Sequence, residues 1–109
     1  MNQETVEKLK KLAKSIVYFQ SLHPDEQEIL WPLLNKSVQS SIELLNAISD
    51  QPRTYGEIAA ITQLHPNTVA PKLNVLSDFF HIKFGTNTAY APSTKRGGRL
   101  RKLAEKISN

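Results

Sequence analysis

The chain's 109 residues fit one domain and are too few for two cores of ordinary size. A hydrophobic share of 39% excludes a disordered chain, and the absence of Cys excludes a disulfide framework, a thiolate metal site and a Cys nucleophile. The net charge of +4 divides into −2 over residues 1–50 and +6 over residues 51–109. That split points the C-terminal half toward an anionic partner, most commonly nucleic acid, or leaves it as a solvated basic face.

Residues 4–20 predict an amphipathic helix, because Val6, Leu9, Leu12, Ala13, Ile16, Val17 and Phe19 fall near a 3.6-residue period. Pro24 followed by Asp25, Glu26 and Glu28 marks the start of a short helix, where a fixed φ and negative charge both suit the positive end of the helix dipole. Trp31-Pro32 should kink or end it, since Pro32 has no N–H to give. A third helix covers 37–49, and Asp50-Gln51-Pro52-Arg53 closes it. Thr54 and Glu57 have capping-box spacing, each able to satisfy the other's backbone N–H, and the helix they start runs to about Thr62.

Leu64-His65-Pro66-Asn67 is a turn signal, and a further helix over 67–78 turns Val69, Leu73 and Leu76 inward. Phe80, Ile82 and Phe84 alternate with His81 and Lys83, the pattern of a half-buried strand. Gly85-Thr86-Asn87 can turn the chain so that 88–91 return as its partner, and Pro92 stops the ladder. Ser93 or Thr94 can cap a last helix carrying Leu100, Leu103, Ala104 and Ile107 on one face. The chain contains no apolar run of about 18 residues and opens on Met-Asn-Gln-Glu without an apolar core, so a cytoplasmic protein with no membrane partner is expected.

Residues 54–73 resemble a helix-turn-helix. Glu57-Ile58-Ala59 is similar to the E-L-A opening of its first helix, Leu64 to the apolar residue of its turn, and Asn67-Thr68-Val69 through Leu73 to the start of its recognition helix. The hairpin over 80–91 resembles a wing. The run from Ala91-Pro92 through Arg99-Leu100 is similar to the L-T-P-K-G-R-x-L segment that follows the wing in regulators of the multiple-antibiotic-resistance type. The resemblance covers residues 37–109 and extends to winged helix-turn-helix transcriptional regulators generally, including the arsenic-repressor type. It implies a mainly α fold with a small β-hairpin, a winged helix-turn-helix domain over 37–109, and an added helical extension over 1–36 that serves dimerisation. Three positions depart from the family. Gln63 stands where relatives carry a turn glycine, Phe80 lies near a glycine position before the wing, and Pro71 interrupts the recognition helix. With Asn67 as the N-cap, Pro71 would remove that helix's first hydrogen bond.

The resemblance implies double-stranded DNA as the partner. Asn67, Thr68, Lys72 and Asn74 are the candidates on the recognition helix, since Asn can pair with adenine, Thr can meet a thymine methyl and Lys can reach guanine or phosphate. Asn67 and Thr68 have a second reading as helix caps. Lys83, Thr86 and Asn87 are candidates on the wing, and Lys95, Arg96 and Arg99 lead the densest basic cluster. Arg53 and Tyr55 stand at the entry to the helix pair. Ile58, Ile61, Leu64, Val69, Leu73 and Leu76 are expected to form its core. Val6, Leu9, Leu12, Ile16, Phe19 and Trp31 are candidates for pairing two copies about a two-fold axis, with cover for the chain's own core as the alternative.

The histidines His23, His65 and His81 lie on separate elements without ligand spacing, and Gly97-Gly98 lacks a phosphate-loop pattern, so neither an enzyme nor a metal or other cofactor is expected. The competing readings are a winged-helix module that binds protein without DNA, and a replication or partition protein of a mobile element.

Overall fold

Capping and proline chemistry set the element boundaries in residues 3–92, the part of the chain described by the computed structural model. Helix α1 spans Gln3–Ser21 and buries Ala13, Ile16 and Phe19, one stripe of its amphipathic pattern. Helix α2, Pro24–Leu30, begins with Pro at its first turn, and the Glu26 carboxylate accepts the His23 N–H at 3.1 Å. The acids after Pro24 therefore supply a specific cap as well as a dipole contact. Trp31–Leu33 tightens into one 3-10 turn at Pro32, as the missing N–H requires.

Helix α3, Lys36–Ala47, starts from Asn35, whose side chain accepts the Val38 N–H at 2.9 Å. It is the central helix. Val38, Ile42, Leu44, Leu45 and Ile48 are buried, and α3 packs against α1, α4 and α5. Helix α4, Tyr55–Thr62, opens on the predicted capping box, with Thr54 Oγ1 accepting the Glu57 N–H at 3.2 Å and the Glu57 carboxylate accepting the Thr54 N–H at 3.0 Å.

One residue of α4 departs from the place expected for it. Ile61 is 51% exposed, whereas Thr62 is buried and donates its hydroxyl to the Ile58 carbonyl at 2.7 Å. The face toward the core is thus Ile58, Ala59 and Thr62. A threonine serves there because its hydroxyl is satisfied by its own helix. Leu64 is half-buried against the core, while Val69, Leu73 and Leu76 are buried as expected.

The small sheet has a strand that periodicity did not announce. Arg53–Thr54 forms β1, paired antiparallel with β3, Thr88–Tyr90, which in turn pairs with β2, Lys83–Gly85, giving the order β1-β3-β2. Two residues are too few to show alternation. The expected strand over 80–84 also starts late. Phe80 and Ile82 are buried, but Phe80 N–H bonds the Leu76 carbonyl at 2.9 Å and so belongs to the turns that end α5. Phe84, expected inward, is 43% exposed, since it lies on the edge strand β2 opposite the buried Ala89.

The fold is therefore mainly helical, with five α-helices and one three-stranded antiparallel sheet among the described residues. One hydrophobic cluster joins Ala13, Ile16 and Phe19 of α1 to residues of α3, α4, α5 and β3. The predicted last helix, with Lys95, Arg96 and Arg99, lies outside the described residues. No helix among the described residues is long and apolar enough to cross a membrane.

Candidate nucleic-acid interface

The turn between α4 and α5 positions the exposed surface of α5. Gln63 ends α4 in the left-handed region at φ 61°, a conformation that glycine adopts at least cost. Helix α5, Pro66–Leu76, then starts one residue before the expected cap, Asn67. His65 is the N-cap. Its Nδ1 accepts the Asn67 N–H at 3.1 Å, and its carbonyl accepts the Thr68 N–H at 2.8 Å. Pro66 causes this shift, because its fixed φ suits the first helical position.

Asn67 and Thr68 consequently sit within the first turn instead of capping it, which corrects the capping reading for both. Their exposed side chains have no hydrogen-bond partner among the described residues, and neither does the exposed amide of Asn74. Pro71 lies inside α5 without breaking it. It offers no N–H to the carbonyl of Asn67, four residues back.

With Val69, Leu73 and Leu76 inward, the outward stripe of α5 is Asn67, Pro71, Asn74 and Val75, followed by Asp78 just beyond its end. Lys72 is on the flank. It is half-buried, and the loss of water around its ammonium pulls its pKa below the usual lysine value. The centre of the stripe therefore carries no cation, and Lys72 is placed beside it.

The β2–β3 hairpin exposes Lys83, Thr86 and Asn87, with Asn87 at φ 58° in the turn. Gly85 closes this hairpin tightly, since a Cβ there would stand 2.5 Å from Thr88 Oγ1. The Asn87 carbonyl accepts the Tyr55 N–H at 3.1 Å, which ties the hairpin tip to the start of α4. Arg53 is held inward, its Nε donating to the Ala47 carbonyl at 2.7 Å and its guanidinium lying 3.8 Å from the Asp50 carboxylate. Sequence alone placed Arg53 at the helix entry without revealing this engagement.

The described part of the C-terminal half contributes Arg53, Lys72 and Lys83 against Glu57 and Asp78, so nearly all of its excess charge belongs to residues 95–106. Of the residues expected to pair two copies, Ile16 and Phe19 are buried in the chain's own core and have no surface to offer. Trp31 is half-buried, its ring 5.5 Å from that of Phe19, and Leu12 is half-buried against the core. Val6 and Leu9 are half-buried on the same helix. Exposed apolar side chains in this half are Tyr18, Ile29 and Leu33.

A shallow cleft beside Trp31 is lined by Phe19, Pro24, Gln27, Glu28, Ile42 and Asn46, with one carboxylate and no nucleophile. Among the described residues no group of three or more His, Asp or Glu is placed to hold a metal ion. No protein-family model, curated protein or solved structure matches this chain.

Proposed function

We propose that the chain binds double-stranded DNA as a winged helix-turn-helix transcriptional regulator, working as a homodimer. In this reading α4 braces α5 against the major groove, the β2–β3 hairpin is the wing, and Lys72, Lys83 and the cluster at Lys95, Arg96 and Arg99 meet phosphates. The observation that carries it is the α4–α5 pair. A left-handed residue at Gln63 sets the turn, and α5 presents unpartnered Asn67, Thr68 and Asn74 side chains to solvent. The pinning of the hairpin tip to the start of α4 supports the same reading, because it fixes the wing relative to the helix pair.

A second reading, a module that binds protein alone, is favoured by the absence of any cation from the centre of the α5 stripe. Titration of random-sequence duplex at low and moderate salt separates the two. Binding at low salt, with a logarithmic salt slope of about −0.9 for each phosphate neutralised, supports the first. Changing Arg96 and Arg99 together to Ala should flatten that slope by close to two contacts. No binding at low salt overturns the DNA reading. Sedimentation at tens of micromolar tests the dimer, and a monomer there removes it.

A further inference from the structure

Resting on the DNA-binding reading, we infer that α5 selects A·T base pairs in the major groove, through Asn67 and Asn74 on adenine and Pro71 and Val75 on thymine methyl groups. The outward stripe of α5 contains two kinds of chemistry. Asn67 and Asn74 each present a side-chain amide with both donor and acceptor, free of protein partners among the described residues. Pro71 and Val75 present small apolar surfaces one helical turn apart, Val75 with 38% of its surface exposed.

In the major groove, adenine offers an N7 acceptor and an N6 donor, which match an Asn amide bidentately, and thymine adds a C5 methyl that apolar side chains contact. Guanine offers two acceptors, which Arg or Lys satisfy, and this stripe has neither. Cytosine offers a donor that Asp or Glu accepts, and Asp78 stands one residue past the Ser77 C-cap, at the far end of the stripe. A guanine facing Asn67 or Asn74 would set the amide oxygen, an acceptor, against one of guanine's two acceptors. A Pro at position 71 removes the one mid-stripe place where a long polar side chain could reach a base. It also gives that place an apolar surface of about the size that meets a methyl group. Lys72, on the flank and half-buried, is left for the phosphate backbone.

The test is selection of duplexes from a random pool by the full-length protein, followed by binding of the winners carrying major-groove base analogues. The expected result is an A·T core. Deoxyuridine in place of thymine there, which removes only the methyl group, weakens binding several-fold. Replacing adenine with 7-deazaadenine, which removes only the N7 acceptor, weakens it about tenfold. Asn74→Ala, an exposed change that leaves the melting temperature in place, should relax the preference at one base position. Recovery of a G·C core overturns the inference and leaves DNA binding standing, as does a pool that binds without enrichment. Indifference to both analogues overturns it too, because an A·T preference read in the minor groove would survive them. A pool that does not bind at low salt fails the DNA-binding reading itself.

Discussion

Glu57 lies in water, yet its carboxylate is tied to the helix start. The Thr54 backbone N–H first, and the Thr54 side chain second, hold its pKa below the ordinary value of 4.5, with a smaller pull from the Arg53 guanidinium. A folded-state value below the unfolded one means that the unfolded chain binds the proton more readily. The capping box therefore contributes its stability above pH 4.5 and loses it as the pH falls through the lower folded value. Glu57→Gln should make unfolding less pH-dependent below 4.5 than it is in the native chain, as read from denaturant midpoints at stepped pH. Parallel curves for the two proteins would remove Glu57 as a source of acid sensitivity. The Thr54–Glu57 pairing was legible because it depends on spacing alone. Gln63 was legible as a residue at a position where glycine would be expected, and its φ of 61° puts it in the left-handed region. Such a residue costs about 1–2 kcal/mol in the left-handed region, so the neighbouring helices hold the turn against a local preference.

Helix α5 has the strongest conflict between local preference and fold. Pro71 removes an intrahelical donor and crowds the preceding turn, yet α5 continues to Leu76 because Val69, Leu73 and Leu76 are buried on the other side. Pro71→Ala should raise stability by about 1–3 kcal/mol by restoring an N–H to the Asn67 carbonyl and improving helix propensity. Thermal and denaturant unfolding measure this, and a loss of stability would mean that the ring itself packs in a needed place. Element starts were readable at Pro24 and Thr54, where a proline or a capping pair marks them, while the caps at Asn35 and His65 were not anticipated. Elsewhere tertiary pairing decided. Residues 53 and 54 become a strand only because β3 passes beside them. Phe84 is part-exposed because β2 is an edge strand, even though its register partner Ala89 is buried. Ile61 and Thr62 differ in burial because the packing of α4 on α3 and α5, which no single-helix pattern contains, selects the face. For the candidate interface, the residue types of α5 were readable from sequence. The engagement of Arg53 and the cap at His65 required coordinates, because each depends on where a carbonyl or an N–H arrives in space.

The charge split has a different meaning once residues are placed. Within the described part of the C-terminal half, three cations face two acids, so an electrostatic pull on DNA from residues 51–92 alone is weak. In the proposed function, shape and amide chemistry on α5 supply selection, and the basic run over 95–106 supplies the salt-sensitive affinity. The first half has a related change of role. Residues 1–36 read in sequence as an extension added for dimerisation, but Ile16 is fully buried in a cluster that also contains Ile42, Ile58, Leu73 and Ala89. A side chain in that position supports the helix pair from behind, and its loss should be felt throughout the molecule. Ile16→Ala should cost about 2–5 kcal/mol, the range for truncating a buried aliphatic side chain with partial collapse of the cavity. Amide hydrogen exchange then discriminates between a shared core and an appendage. In a single cooperative unit, the Leu73 amide in α5 and the Ala89 amide in β3 lose protection by the same free energy as those of α1. Were α1 an appendage, its own amides would exchange faster while Leu73 and Ala89 kept their native protection, and the core would have to be redrawn without the first helix.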